Sequence, residues 1–174
     1  GVLFHTDAAQ AVGHVPIDVE AMNIDLLSFS AHKIYAPKGI GGLYVRRRNP
    51  RVKVAPVIYG GGHELGIRSG TLNVPGIVGM GKALEIAKRE MKNEGEKYRQ
   101  WTQMMFQQLR DQLGDVELNG HPTQRLPHNL NVSVKGIESR SLIVQLKNIA
   151  LSTGSACTSA SVEPSHVILA LGFG

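Results

Sequence analysis

The sequence lacks most features of a secreted or membrane protein. Its 174 residues include one cysteine, so no internal disulfide can form, and we expect a reducing compartment where this thiol is either buried or reactive. No apolar run approaches the roughly 18 residues of a membrane span, and no signal-peptide pattern is present. These absences predict a soluble cytosolic protein without membrane contact.

The excess of positively over negatively charged residues is also small. Lys and Arg number 19 against 14 Asp and Glu, without the long basic blocks of a nucleic-acid-binding arm. The densest basic cluster follows a predicted strand, where charges usually form a solvated edge; it comprises Arg46, Arg47, Arg48, Arg51 and Lys53. We therefore expect no direct contact with nucleic acid.

The composition is that of a globular α/β protein. With 42% hydrophobic residues and 20 glycines, the chain can form one or two domains with a core. Short apolar runs predict buried parallel strands at residues 2–5 and 26–30, and a strand at 42–46. Residues 54–70 are rich in glycine and predict an ordered loop.

From residue 75 the pattern changes to helical periodicity. A long helix to Gly114, broken at Gly95, is predicted. Strands at 116–118 and 129–134, a helix at 139–147 capped by Ser139 and a last helix at 164–171 follow. We assign residues 1–80 to part of a large domain, and 81–174 to a linker helix and a small α+β domain, both incomplete. Because the chain opens at Gly1 without a methionine, we expect a longer polypeptide.

Lys33 has the sequence context of a cofactor-binding lysine. It follows the strand at 26–30, so its amine is expected at the carboxyl edge where open α/β sheets bind ligands. Partial desolvation there makes an amine a usable nucleophile that can hold pyridoxal phosphate as a Schiff base. Ser30 and His32 add a hydroxyl and an imidazole suited to a phosphate group. Alternatively, Lys33 is an ordinary surface residue and His32 only packs.

Asp7 lies after the first predicted strand. A carboxylate there can keep a pyridine nitrogen protonated, which lets the ring accept electrons from a carbanion. The alternative is that Asp7 caps the turn after the strand. Gln10 can donate to a phenolic oxygen and Thr71 to a phosphate, although each taken alone is an ordinary polar residue.

The single cysteine, Cys157, lies among small and hydroxyl residues at 152–161 that offer little bulk to bury it. Free cysteines are usually buried, so this setting predicts an exposed and reactive thiol. A thiolate on such a loop can reach a substrate sulfur and carry that sulfur away. The alternative is a purely structural cysteine.

Five segments, taken in order along the chain, form a more specific pattern: DAAQ at 7–10, SAHK at 30–33, GGGHE at 60–64, RSGT at 68–71 and GSACTSAS at 154–161. Together they resemble the cysteine desulfurases of the iron-sulfur-cluster type, first group, within the class V aminotransferases. The resemblance covers essentially the whole chain. It implies pyridoxal-phosphate transferase fold type I, with the C-terminal part of the large domain's mainly parallel sheet joined to a smaller α+β domain.

The same resemblance implies a role for each candidate residue. Lys33 would hold pyridoxal 5'-phosphate, with Asp7 at its ring nitrogen and Gln10 at its phenolic oxygen. Ser30 and His32 would bind its phosphate, and Thr71 would reach the phosphate of the neighbouring subunit in a homodimer. Cys157 would be the nucleophile.

The implied reaction releases L-alanine from L-cysteine and leaves a persulfide on Cys157. The sulfur would pass to an iron-sulfur scaffold protein or to other acceptors, including a relay to tRNA thiolation. No intrinsic metal site is expected, although Cys157 can serve as a transient iron-sulfur ligand shared with a scaffold. The expected location is the cytoplasm, with the mitochondrial matrix as the alternative.

Two positions depart from the family pattern, which commonly has glycine at Ala31 and arginine at Leu65. Ala31 should be tolerated if its φ is negative, whereas the missing charge at Leu65 would alter an entrance or partner surface. The family's ring-stacking histidine, upstream phosphate loop and substrate-aligning asparagine should precede Gly1, and its carboxylate-binding arginine should follow Gly174. We therefore expect this piece alone to bind the cofactor poorly and to be almost inactive.

Two other interpretations remain open. Selenocysteine lyase or another class V aminotransferase-like enzyme would share Asp7 and Lys33 but would not need Cys157 for sulfur transfer. A non-enzymatic subunit that docks a scaffold or tRNA through the basic cluster is the alternative from a different class.

Overall fold

The computed structural model describes residues 1–152 and 165–172. The chain divides into two compact units, Gly1–Tyr98 and Arg99–Gly174, which are taken separately below. The domain boundary after residue 80 concerns the fold of the longer protein and stays a prediction.

The first unit contains a mixed sheet of three strands in the order β1-β2-β3: His5–Asp7, Leu26–Ser30 and Gly41–Val45. β1 and β2 are parallel, whereas β2 and β3 are antiparallel. The strand predicted at 26–30 is confirmed, and β3 starts one residue earlier than predicted. The prediction that a strand begins at residue 2 is wrong, because the N–H of Phe4 donates to the Asp25 carboxylate at 2.9 Å.

The two faces of this sheet differ in polarity. One face packs against the core formed by Ala8, Ile24 and Leu27, to which Phe29 and Tyr44 add partly buried rings. Because side chains alternate along a strand and paired parallel residues share a face, Asp7, Ser28 and Ser30 lie together on the other face. β2 is therefore an alternating strand and not the continuous apolar strand that the sequence suggested.

Arg46, at the end of β3, is a structural residue. It is 4% exposed and approaches the carboxylates of Glu20 at 2.6 Å and Asp25 at 3.2 Å. It also donates to the carbonyl oxygens of Val19 and Ile24, at 2.8 and 3.0 Å. The hydrogen bond that it donates to Glu20 is the main reason that the pKa of Arg46 is raised. The prediction of a solvated edge is therefore wrong for Arg46. The other basic residues of the cluster are exposed: Arg47, Arg48, Arg51 and Lys53.

A single helix, α1, runs from Val74 to Leu113. Asn73 precedes it and accepts a hydrogen bond from the Gly76 N–H at 3.1 Å, as a capping residue does. The predicted break at Gly95 is wrong, because Gly95 is buried inside a continuous helix. Across the described residues, no helix is both long and apolar enough to cross a membrane.

The second unit pairs two short antiparallel strands, β4 (Val116–Leu118) and β5 (Val132–Val134), and adds the helices α2 (Ser139–Gln145) and α3 (His166–Ala170). All four elements match predicted ones, although β5, α2 and α3 are shorter than predicted. The predicted cap of α2 is wrong: Glu138, and not Ser139, accepts hydrogen bonds from the N–H groups of Arg140 and Ser141. Ser165 caps α3 in the same way.

Candidate active site

Two parallel strands end at the same edge of the sheet and carry candidate site residues there. Asp7 is the last residue of β1 and Ser30 is the last residue of β2. The chain then enters a 3-10 helix, Ala31–Ile34, which contains His32 and Lys33 and is called the lysine turn below. The structure thus brings these four predicted residues to the carboxyl edge of the sheet, as expected for a ligand site in an α/β fold.

The lysine turn is anchored at both ends and exposed in the middle. Ala31 is 0% and Ile34 5% exposed, whereas His32 and Lys33 are exposed. Tyr35 follows in the left-handed conformation with φ of 63° and ends the turn. Within the described chain the Lys33 amine makes no hydrogen bond or ion pair, so it is available for a ligand. Lys33 is therefore exposed rather than partly desolvated as the sequence suggested.

Asp7 has both a structural and an available oxygen. Its Oδ1 accepts the Ala9 N–H at 2.9 Å, so the capping interpretation is observed. Its second oxygen has no hydrogen-bond partner among residues 1–152 and 165–172. The cap and a role toward a cofactor are therefore compatible.

Two pairs, each made of a serine hydroxyl and a histidine imidazole, lie along the strands and the lysine turn. Ser30 Oγ lies 2.9 Å from His32 Nδ1, which orders both side chains beside Lys33. One step back along the strands, His5 Nε2 lies 3.1 Å from Ser28 Oγ. The sequence analysis missed this second pair, although alternation along two paired strands could have indicated it.

The other predicted residues are less closely connected. Gln10 is exposed in the turn that follows β1. Thr71 is exposed just before α1, and no hydrogen bond links it to the other candidate residues in the part of the chain that is described. Cys157 lies outside the described residues. No group of three or more His, Cys, Asp or Glu that could hold a metal ion occurs among the residues that the structure describes.

The two departures from the family pattern have different settings. Ala31 is fully buried and is not among the residues of positive φ, so its methyl group is tolerated as expected. Leu65 has a φ of 58° and is 76% exposed. An exposed leucine in a left-handed conformation leaves an uncharged apolar side chain on the surface of the glycine-rich loop.

The donor groups fit pyridoxal phosphate. An amine and a carboxylate oxygen that have no partner among the described residues lie with an ordered hydroxyl–imidazole pair at one edge of an α/β sheet, and these are groups of the kind that hold this cofactor. The fold is that of the pyridoxal-phosphate transferases of fold type I.

Within that class, the chain belongs to the class-V aminotransferases, whose family model matches residues 1–173. Members of this family depend on pyridoxal phosphate. The predicted fold class and the predicted family are confirmed.

Individual relatives agree with this assignment. The chain is 56% identical over 172 residues to a protein named cysteine desulfurase IscS from Pseudomonas entomophila strain L48, covering 99% of this chain and 42% of that protein. A solved NifS-like protein superposes with a TM-score of 0.80 at 37% identity, covering 99% of this chain and 43% of that one. SspA, solved in complex with cysteine, gives a TM-score of 0.73 at 39% identity, covering 99% and 47%. The chain thus spans less than half the length of these relatives.

Proposed function

We propose that the protein containing this chain is a pyridoxal-phosphate-dependent cysteine desulfurase that converts L-cysteine to L-alanine and places the sulfur on Cys157 as a persulfide. The observation that carries the proposal is the Lys33 amine, which no other described residue pairs with, at the carboxyl edge one turn beyond Ser30 and beside the strand that ends in Asp7. The similarity of this chain to a protein named cysteine desulfurase supports the proposed reaction. The similarity of the chain to SspA, which was solved in complex with cysteine, supports the proposed substrate.

Each residue at the edge then has a task. Lys33 holds the cofactor and moves the substrate α-proton. Asp7 keeps the ring nitrogen protonated through its free oxygen, while its other oxygen fixes the carboxylate against the turn. Ser30 and His32 bind the phosphate, and Gln10 donates to the phenolic oxygen. The bound cofactor supplies an electron-accepting ring that stabilises negative charge at the substrate α-carbon.

Cys157 performs the sulfur chemistry. Its thiolate attacks the substrate sulfur and forms a sulfur–sulfur bond while the carbon–sulfur bond breaks; the electron pair of that bond passes to the substrate β-carbon, which takes up a proton before alanine leaves. The persulfide is passed to an iron-sulfur scaffold protein or another sulfur acceptor, including a relay that supplies tRNA thiolation. Cys157 can also serve as a transient iron-sulfur ligand shared with that scaffold.

The proposal extends to assembly and location. The protein acts as a homodimer in which Thr71 reaches the phosphate bound by the neighbouring subunit. Residues 1–80 belong to its large domain, and residues 81–174 form the linker helix and small domain. It works in the cytoplasm, without direct contact with nucleic acid or membrane.

Mass spectrometry of the full-length protein after incubation with L-cysteine tests the reaction. We expect one added sulfur atom on the peptide that contains Cys157, together with release of alanine. Cys157→Ser should abolish the added sulfur while the visible absorbance of the bound cofactor remains. Lys33→Ala should abolish both, whereas Lys38→Ala, which changes another exposed lysine close by, should abolish neither.

Two results would contradict the proposal. Sulfur release that persists at the wild-type rate in Cys157→Ser would indicate selenocysteine-lyase-like chemistry or another class V reaction. A full-length protein without any cofactor absorbance would indicate a docking subunit.

A further inference from the structure

The lysine turn rests directly on the turn that follows Asp7. Gly13 has a φ of +82°, and a Cβ atom at this position would lie 2.7 Å from Ile34 Cγ2 and 3.2 Å from Ala87 Cβ. Contacts below 3 Å are not tolerated between carbon atoms, so only glycine allows Ile34 this close to the backbone. Ile34 is 5% exposed and packs against residue 13, which itself lies against Ala87 of helix α1.

A second contact holds the segment just after the lysine turn against the same helix. A Cβ at Gly79 of α1 would lie 2.9 Å from Pro37 Cγ and Cδ. Residues 79 and 87 are a little more than two helical turns apart along α1, and about 80° apart around its axis. Ile34 and Pro37 thus fix the chain on both sides of Tyr35.

The position of Lys33 relative to Asp7 and Gln10 depends on this packing. Asp7 and Gln10 lie on the segment that leads into Gly13, and Lys33 is adjacent to Ile34 in the sequence. The turn between them is tied by hydrogen bonds from Ala11 and Val12 to the Ala8 carbonyl, both at 2.9 Å. A displacement of Ile34 at Gly13 therefore changes the distance between the candidate amine and the candidate carboxylate.

We propose that Gly13 and Ile34 are positioning residues that set the geometry of Lys33 toward Asp7 for cofactor binding. This inference rests on the proposed function, and neither residue touches the cofactor. Binding sites of this kind require their groups to be held within about 0.5 Å. A methyl group at residue 13 must move Ile34 by an amount comparable to that tolerance, and Lys33 moves with it.

The chain offers a matched control for this substitution. Gly39 has a φ of +81°, nearly the same as Gly13, but a Cβ there would have nothing within 4 Å. Gly13→Ala and Gly39→Ala therefore cost the same backbone strain, and only Gly13→Ala adds the contact with Ile34. Any difference between the two variants reports on that contact together with the one to Ala87 Cβ at 3.2 Å, and the Ile34→Ala background described below separates the two.

Both variants should be made in the full-length protein, with the dissociation constant for pyridoxal phosphate measured by titration of the apoprotein well below its unfolding temperature. We expect Gly13→Ala to weaken cofactor binding about tenfold or more and to lower kcat/KM on the order of a hundredfold, as a misplacement near 1 Å does. Gly39→Ala should stay within about twofold of wild type. Equal effects of the two substitutions would overturn the proposal.

A second comparison covers the case in which Gly13→Ala does not fold. Ile34 and Ile24 are both 5% exposed, and Ile24 belongs to the core cluster on the sheet, of which Ile34 is not a member. Ile34→Ala and Ile24→Ala should destabilise the protein to a similar degree, but only Ile34→Ala should weaken cofactor binding in the folded state. Similar cofactor affinities in the two variants would overturn the proposal.

A double variant tests whether the effect passes through Ile34. Ile34→Ala removes the Cγ2 atom that a methyl group at residue 13 would meet. The factor by which Gly13→Ala raises the dissociation constant should therefore be several-fold smaller in the Ile34→Ala background than in wild type. Additive effects would contradict the proposed contact. If wild-type protein binds no cofactor, the proposed function fails; if wild type binds and the Gly13 and Gly39 variants behave alike, only the positioning role fails.

Discussion

Asp7 Oδ1 accepts a hydrogen bond from the backbone N–H of Ala9 at 2.9 Å. This bond uses one oxygen for the turn after β1 and leaves the other for a ligand, so the structural and chemical roles of Asp7 can be separated by substitution. An asparagine keeps an oxygen that can accept from Ala9 but lacks the negative charge. An alanine lacks both.

We predict that Asp7→Asn leaves the stability of the apoprotein within about 0.5 kcal/mol of wild type, whereas Asp7→Ala lowers it by about 1 kcal/mol through loss of the hydrogen bond. Both should reduce turnover by orders of magnitude, because neither can keep a pyridine nitrogen protonated. Denaturant unfolding and steady-state kinetics of the full-length protein measure the two effects. Full activity in Asp7→Asn would contradict the role of the charge.

The Ser30–His32 pair gives a second prediction. Their side chains meet at 2.9 Å, so each orders the other next to Lys33. We expect Ser30→Ala and His32→Asn each to weaken cofactor binding about tenfold, which corresponds to the loss of a hydrogen bond to a charged group. The double variant should lose less than the sum, since the two residues interact.

Titration of the apoprotein with pyridoxal phosphate measures these affinities. Thr6→Val is a suitable control, because Thr6 lies in β1 between His5 and Asp7 and so points to the opposite face of the sheet. An unchanged dissociation constant in Ser30→Ala would remove Ser30 from the phosphate site.

The features that the sequence predicted correctly depend on local patterns. β2 and α1 follow from apolar residues at strand and helix spacing, and the meeting of Asp7, Ser30 and Lys33 follows from two parallel strands that end side by side. These arguments need no knowledge of residues elsewhere in the chain. For that reason the edge that carries the candidate site could be identified before the fold was known.

The features that were missed depend on contacts distant in sequence. β1 begins at His5 and not at residue 2 because the N–H of Phe4 donates to the Asp25 side chain. Arg46 is buried because it pairs with the carboxylates of Glu20 and Asp25. Likewise, nothing in the pattern around Gly13 shows that Ile34 packs on it. Such pairings depend on how the strands and turns assemble, which periodicity alone does not specify.

Helix α1 offers a test of the packing against Pro37. Gly79 and Gly81 are both inside α1, but a Cβ at Gly81 would have nothing within 4 Å, whereas one at Gly79 would meet Pro37 at 2.9 Å. We predict that Gly81→Ala stabilises the protein by about 0.5–1 kcal/mol, because alanine restricts the unfolded chain and favours the helix. Gly79→Ala should instead destabilise it. Urea unfolding of both variants gives the comparison, and equal stabilisation would show that Pro37 does not pack on α1.

The cap of α2 predicts a specific dependence on pH. Hydrogen bonds from the side chain and the backbone N–H of Ser141, and then from the backbone of Arg140, lower the pKa of Glu138 from its ordinary value of 4.5. A carboxylate whose pKa is lower in the folded state contributes stability above its unfolded pKa and loses that contribution as the pH falls through the folded pKa. We therefore expect Glu138→Gln to be less stable than wild type at neutral pH, and the difference to vanish in acid below the lowered pKa.

A glutamate elsewhere in the same unit provides the control. The side chain of Glu117, exposed on β4, makes no hydrogen bond within the described residues, so Glu117→Gln should show no such difference. Titration of the Ser141 amide chemical shift measures the pKa of Glu138 directly, and a midpoint at or above 4.5 would contradict the cap.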